Sequence, residues 1–378
     1  MFIVKEVKEM SLYKKDVVEM HQNVNTLAKN KYVTAALNKA VMENNFMKYP
    51  DFKGFDELRE LILEDLDLEG QEIIITAGAT PGIEVTFRTL IEEPFHEVMT
   101  ADPGYLTIDD MARKFGVVNS VSIWDKPYKL TPELIVDNIH DDTKFLVLID
   151  PVNPSGAHYT KEELTRIAVL AELYDFIVIH DVTYAGFDED HFSIAKLIPD
   201  RTVTLYSMSK VFGMAGMRIG ALVTNKEMMD KIWPNVIDML GVNAIGQEAA
   251  IAALKHKDKY IDEVKRRTRY SHKILCEKLE EIPGIKVINK EHNRASMMIV
   301  DISETGIDPD ELDEQLKQRN IYVRAGPFTS KYNGHKYIRV SFSVEITTVY
   351  EFVENFKEVV NMMRTMLIPK PLYATKTM

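Results

Sequence analysis

An α/β fold is predicted, with a large domain on a mostly parallel sheet and a smaller α+β domain behind it. Three features of the sequence predict it. Short β-rich runs alternate with helical patterns through the middle of the chain, those runs are apolar along their whole length, and after Lys226 the texture changes to long helical patterns with a few strands. Polar residues of chemical interest collect where the β-rich runs end, which is where open α/β sheets bind their ligands.

The first run, EIIITA at 72–77, leads into a helix from about Thr80, and HEVMTA at 96–101 leads into one from about Leu106. The later runs are FLVLID ending at Asp150, FIVIHD ending at Asp181, TVTLYS ending at Ser207 and IGALVT at 219–224. Their apolar continuity fits a sheet covered on both faces. A long helical pattern over about 256–282 is stopped by Pro283 and Gly284. Beyond it come the strands IKVIN, SMMIVDI and KYIRVSF, with helices at about 308–319 and 346–366. Helical stretches around 5–20 and 31–45 have no strand partner of their own and are expected to pack on the small domain. The expected division is therefore 46–255 for the large domain, and 1–45 with 256–378 for the small domain and its linking helix.

Composition narrows the function. At 378 residues the chain is too long for a small binding module and buries a large core. Its longest purely apolar runs are strand-sized, so no membrane span is expected. The start, MFIVKEVKEMSLYKK, has no apolar h-region or cleavage site, and a cytoplasmic protein is expected. One cysteine, Cys276, excludes an intrachain disulfide and a multi-cysteine metal site; within a helical pattern it reads as a packed thiol. With a net charge of −12 and acidic residues spread throughout, nucleic acid is not an expected partner.

The stretch TLYSMSKVFGMAGMRIG at 204–220 places Lys210 just after an apolar run. Either the chain reverses there and the lysine reaches solvent, or its desolvated amine forms a Schiff base with a carbonyl cofactor while Ser207 and Arg218 hold a phosphate. TAGATPG at 76–82 is either a plain strand-to-helix turn or an anion site at a helix N-terminus; it lacks the lysine of a P-loop. Asn153 in DPVNPSG either makes a turn or donates to a ligand oxygen. Asp181, followed by Tyr184, is either a strand-end cap or a buried carboxylate in want of a cation. His180 shows no second metal ligand at useful spacing, and no metal site is expected.

Asn153, Asp181, Tyr184, Lys210 and Arg218, in this order and spacing, resemble the fold-type I pyridoxal-phosphate enzymes, specifically the class I/II aminotransferases related to aspartate aminotransferase. The motifs that carry the resemblance are NPSG, the Asp181–Tyr184 pair, SMSK, GMRIG and a late YIRVSF, spanning about Tyr49 to Ser343. The resemblance implies a seven-stranded-type sheet flanked by helices and pyridoxal 5′-phosphate as cofactor. It also implies amino-group transfer between an α-amino acid and a 2-oxo acid by a ping-pong mechanism.

Position by position, it implies that Lys210 carries the cofactor as an internal aldimine and acts as the catalytic base, and that Asp181 pairs with the ring nitrogen. Asn153 and Tyr184 would bond the ring oxygen. Arg218, Ser207 and the backbone at Gly78, Ala79 and Thr80 would hold the phosphate, and Tyr105 would stack on the ring. Tyr49 would reach the phosphate of a partner subunit in a homodimer with shared active sites. Arg339 would grip the substrate α-carboxylate.

Two departures stand out. Val182 follows Asp181 where many relatives have an acid, which costs little because the roles sit on Asp181 and Tyr184. MHQNVN at 20–25 lacks the family's Gly-Pro-like pattern, which leaves the surroundings of the substrate side chain open. The same residues would also serve a C–S β-lyase or a 1-aminocyclopropane-1-carboxylate-synthase-like lyase. A ligand-sensing domain of a transcription regulator would need a DNA-binding extension that is not seen, and a carrier without chemistry would keep Lys210 but release no product.

Overall fold

The computed structural model describes residues 17–237 and 240–367. In chain order the elements begin with β1 (Val18–Glu19), α1 (Lys31–Met42), α2 (Asp56–Leu66), β2 (Glu72–Thr76), α3 (Ala79–Leu90), β3 (Glu97–Asp102) and α4 (Leu106–Ala112). There follow β4 (Val117–Ser122), α5 (Pro132–Asn138), β5 (Thr143–Ile149), α6 (Lys161–Tyr174), β6 (Ile177–Asp181), β7 (Thr202–Ser207), β8 (Gly220–Thr224) and α7 (Lys226–Ile232). The rest of the chain forms α8 (Ala244–Lys255), α9 (Ile261–Glu280), β9 (Lys286–Val287), β10 (Met297–Asp301), α10 (Pro309–Lys317), β11 (Ile321–Tyr322), β12 (Arg324–Ala325), β13 (Tyr337–Ser341) and α11 (Ile346–Leu367).

Seven strands form the large sheet in the order β2-β8-β7-β6-β5-β3-β4. Only β8 runs against its neighbours, β2 and β7; the other pairings are parallel. Every residue of β7 and β8 is buried, because helices cover both faces. On one face α3 comes so close to β7 that a Cβ on Gly82 would lie 2.8 Å from Leu205 Cδ2. The other face carries the cluster in which Leu164, Ile167 and Ala171 of α6 meet Leu146, Leu148 and Val178. Each of the buried leucine, isoleucine and valine side chains here contributes roughly 1.5–3 kcal/mol of burial. α6 starts at a capping box in which Thr160 and Glu163 satisfy each other's free N–H groups. The edge strand β4 was not evident in the sequence: its VVNSVS alternates poorly, and only one of its six residues is buried.

The second core lies around the four-stranded antiparallel sheet β12-β13-β10-β9, covered by α9, α10 and α11. α9 places Val264, Thr268, Ser271, Leu275 and Leu279 on one buried stripe at helical spacing. Cys276 lies on that stripe, where burial pushes its thiol up to about 12, so it packs as expected.

The helix expected over 5–20 falls outside the described residues as far as 16. From Val18 the chain is extended instead: Val18, 3% exposed, pairs in parallel with Ile321, because its apolar side chain completes the small-sheet core. α1 lies against α8. No described helix is long and apolar enough to cross a membrane.

Candidate active site

The C-terminal ends of β5, β6 and β7 open onto a cavity of about 360 Å³ that also receives the segment 21–24 and residues of the small sheet. Asp181 ends β6 because the apolar run IVIHD stops where the strand leaves the sheet, and the residue is 5% exposed. The backbone N–H of Thr183 donates to its Oδ1 at 3.0 Å. Burial pushes this carboxyl up, against the opposing pull of the Thr183 bonds and the charges of His180 and Lys210. Within the described residues no cationic side chain bonds it, so a buried carboxylate faces the cavity in want of a cation.

Lys210 lies in the turn after β7, and its Nζ donates to the carbonyl of Gln22 at 3.0 Å and stands 5.9 Å from the Tyr184 ring centre. Burial, then the positive charges of Arg339 and Arg218, hold its amine down to about 8, although Asp181 works the other way. Tyr184 accepts a hydrogen bond from Asn23 Nδ2 at 2.8 Å, and burial pushes its phenol up to about 12.

At the other end of the cavity α3 begins. Gly78, at φ +90°, precedes it in a conformation open to glycine, and a Cβ there would come within 2.5 Å of the Arg218 guanidinium. Arg218 is pinned over the helix start by bonds to Ala77 O at 2.9 Å and Ala215 O at 3.0 Å. The free N–H groups of a twelve-residue helix, a guanidinium and the hydroxyls of Ser207 and Ser209 thus converge on one spot, a donor set suited to a phosphate.

Arg339 on β13 is 4% exposed and donates to Asn153 Oδ1 at 3.1 Å and to His21 O. The bond occupies the amide oxygen of Asn153, so its N–H₂ is the group that faces a ligand. Arg324 on β12 lies directly opposite Arg339 in register and also lines the cavity, its guanidinium 4.3 Å from the Phe328 ring centre. The loop that carries Phe328 is tied to the large sheet by Lys331 N–H to Asp102 Oδ2 at 2.7 Å and Gly104 N–H to Thr329 O at 2.7 Å. His21 is held down to about 4 by burial and by Arg324 and Arg339, so its ring is neutral near pH 7.

Of the residues singled out in the sequence, Ala79, Thr80, Tyr105, Asn153, Asp181, Tyr184, Ser207, Lys210, Arg218 and Arg339 line this cavity, and Gly78 lies under Arg218 at its edge. Tyr49 does not: it is 76% exposed on the surface. Sequence reasoning gave no role to Ser209, Arg324 or Phe328, and touched His21 and Asn23 only as part of the MHQNVN segment. Ser209 sits in the SMSK motif itself, while Arg324 and Phe328 reach the cavity through long-range packing. His180, which showed no second ligand by spacing, faces away from the cavity toward Asp150 and His191. A larger cavity, about 550 Å³, opens between Tyr128 and the 286–292 segment, but it lacks a buried carboxylate, and convergence of polar groups decides the assignment rather than volume.

The residues fit pyridoxal phosphate on the structure's own terms: an anion cradle at α3, a buried carboxylate lacking a cation, and an amine of lowered pKa between them. Comparison with known proteins agrees. The Aminotransferase class I and II family matches residues 15–356. An aspartate aminotransferase of Pyrococcus horikoshii is 27% identical over 94% of this chain and 93% of its own. The structure of aspartate aminotransferase from Thermus thermophilus with maleate aligns with a TM-score of 0.81 at 26% identity, covering 91% of this chain and 92% of that one. An aromatic aminotransferase from Pyrococcus horikoshii, 23% identical, shares the fold with a TM-score of 0.83, covering 93% and 97%. Cavity, topology and sequence thus agree that this chain belongs to the class I and II aminotransferases, enzymes of the fold-type I architecture that depend on pyridoxal phosphate.

Proposed function

We propose that this aminotransferase takes α-amino acids bearing a second acidic group and the corresponding 2-oxo acids, and that it works as a homodimer in the cytoplasm. The observation that carries the substrate reading is the pairing of Arg324 with Arg339. Lys210, Arg218, Arg324 and Arg339 line the cavity against the single carboxylate of Asp181. A cofactor phosphate offsets Arg218, and one α-carboxylate offsets Arg339, which leaves Arg324 facing the cavity without an anion. Relatives named aspartate aminotransferases support the same reading.

Gly78, Ala79, Thr80, Ser207, Ser209 and Arg218 would hold the cofactor's phosphate, Asp181 its ring nitrogen, Asn153 and Tyr184 its ring oxygen, and Tyr105 a ring face. When bound, pyridoxal phosphate supplies an electron sink for the charge that develops at the substrate Cα. The Asp181 carboxylate would keep that ring nitrogen protonated. Arg339 clamps the α-carboxylate through its two guanidinium prongs and fixes which Cα bond faces Lys210. Lys210 Nζ, with its lowered pKa, is the base that removes the Cα proton. The neutral His21 and the Asn23–Tyr184 bond wall the same space against water.

The homodimer reading rests on the exposed Tyr49, which by its family position serves a partner's phosphate. A single cysteine supports the cytoplasmic setting. A division near 255 is supported by the large sheet lying within 72–224 and the four-stranded sheet within 286–341, while α1, counted with the small domain, packs on α8 of the large one. Incubating the loaded enzyme with a panel of amino acids and three 2-oxo acids, and following the new amino acid by chromatography, tests the function. Acidic donors should lead the panel. Release of ammonia and pyruvate without a new amino acid would point to the lyase alternative instead.

A further inference from the structure

On the face of the large sheet opposite the cofactor cavity, three side chains from distant parts of the sequence meet in the protein interior. His180 and Asp181 are neighbours on β6, and side chains alternate across a strand, so His180 points away from the cavity that Asp181 lines. There its Nε2 stands 3.5 Å from Asp150 Oδ2, and His191 Nε2 stands 3.5 Å from the same oxygen. The two imidazoles stack with centroids 5.6 Å apart and planes 17° from parallel.

His180 and Asp150 are both fully buried, yet neither ring nitrogen of His180, nor Asp150 Oδ2, nor His191 Nε2 makes a hydrogen bond within the described residues. Their separations of 3.5 Å are those of an ion pair and longer than an ordinary hydrogen bond. So many unbonded polar atoms at one buried point call for an ion or a water between them.

We propose that Asp150, His180 and His191 form a binding site for a divalent transition-metal ion of the zinc type. Bonds of about 2.0–2.1 Å to nitrogen and oxygen at tetrahedral angles place ligand atoms about 3.3 Å apart. The two 3.5 Å separations from Asp150 Oδ2 match that spacing, and all three ligand atoms lie within 4.8 Å of one another. Two imidazoles with one carboxylate is a ligand set that suits zinc and its neighbours rather than magnesium or calcium. The carboxylate is already oriented: Tyr159 N–H donates to Asp150 Oδ1 at 3.2 Å, which leaves Oδ2 for the metal. Of the three, His191 also borders a neighbouring cavity of about 260 Å³, the side from which an ion would enter.

The site would be structural rather than catalytic, since it faces away from the cofactor cavity. It would pin the end of β5 to β6, and so set the relative positions of Asn153 and Asp181, which follow from those two strand ends. The backbone already joins them at this level, Asp150 N–H donating to Asp181 O at 2.9 Å.

The test is metal titration of chelator-treated, cofactor-loaded enzyme with Co(II) and then Zn(II). One Co(II) per chain should bind, with the intense visible ligand-field bands of a tetrahedral site. Zn(II) should displace it and raise Tm by several degrees. His191→Ala, at the least buried ligand, should keep its cofactor absorbance yet lose both the bands and the Tm shift, which separates this site from chelation by the cofactor. Asp150→Asn should behave alike; should it fail to fold, His191→Ala alone decides. Absence of tight uptake by the wild type, or unchanged bands and Tm shift in His191→Ala, would overturn the proposal.

Discussion

Arg324 and Arg339 face each other across β12 and β13 in direct register, and both guanidinium groups line the same cavity. Like charges opposite each other on a sheet are destabilising unless an anion lies between or beside them. Arg339 is the deeper of the two and is bonded to Asn153 and His21, whereas Arg324 rests on Phe328 and is only partly buried. The arrangement suits one substrate with two acidic groups, the α-carboxylate on Arg339 and the distal one toward Arg324.

Arg324→Gln should therefore weaken acidic substrates selectively. Loss of a hydrogen bond to a charged group of about 1.5–3 kcal/mol lowers kcat/KM about tenfold to about a hundredfold. Monocarboxylic amino acids should be nearly unaffected. Equal loss for both classes would show that Arg324 does not read the distal group.

Arg339→Leu should impair both half-reactions alike, because the amino acid and the 2-oxo acid carry the same carboxylate. Truncating one partner of a buried charge pair loses roughly 2–5 kcal/mol, so kcat/KM falls about thirtyfold to several thousandfold. Lysine restores charge without the two-pronged geometry and should rescue only in part. Single-turnover kinetics of each half-reaction decide the matter: an unaffected half-reaction would withdraw the clamp.

The lowered pKa of Lys210 gives a pH signature. Cofactor loading of the apoprotein requires the free amine, so its rate should rise as pH increases through about 8 rather than through the ordinary lysine range. The native amine then binds fewer protons than the unfolded one between about 8 and 10.5, so its contribution to apoprotein stability rises with pH across that window. Asp181→Asn removes the one charge that holds the amine up and should move the loading midpoint lower. Borohydride reduction followed by peptide mass analysis reports the adduct on Lys210; an adduct in Lys210→Ala would refute the assignment.

Asp181→Ala should still bind the cofactor, because the phosphate cradle at α3 is intact, but lose most turnover, since the ring loses the counter-charge that makes it an electron sink. Turnover near that of the wild type would remove Asp181 from the mechanism.

Tyr49 tests the dimer. Mixing Lys210→Ala with Tyr49→Ala subunits should restore activity if Tyr49 serves its partner, because one hybrid site then holds both residues. Demonstrated hybrids without recovered activity would place Tyr49 in its own subunit's service.

The parts of the site that were legible in the sequence are those that end apolar runs. Asp181 closes IVIHD, Ser207 closes TVTLYS and Lys210 follows it within one turn, so local pattern alone placed them on one edge of the sheet. The β4 strand and the two-residue β12 escaped notice because a short or half-exposed segment carries too little periodicity to stand out. Cys276 was legible as a packed thiol because helical spacing already placed it on the buried stripe of α9.

What the tertiary structure alone decided is which distant residues become neighbours. Arg324 reaches Arg339 only through the pairing of β12 with β13, and Asn23 reaches Tyr184 only because Val18 adds a strand beside Ile321. Asp150, His180 and His191 showed no ligand spacing, since a sheet brings its strands side by side whatever length of chain separates them. Local pattern records which face a residue presents and where an element stops. The partner across that face is set by packing of the whole chain, and it is there that an unpaired guanidinium or an unbonded imidazole first becomes visible.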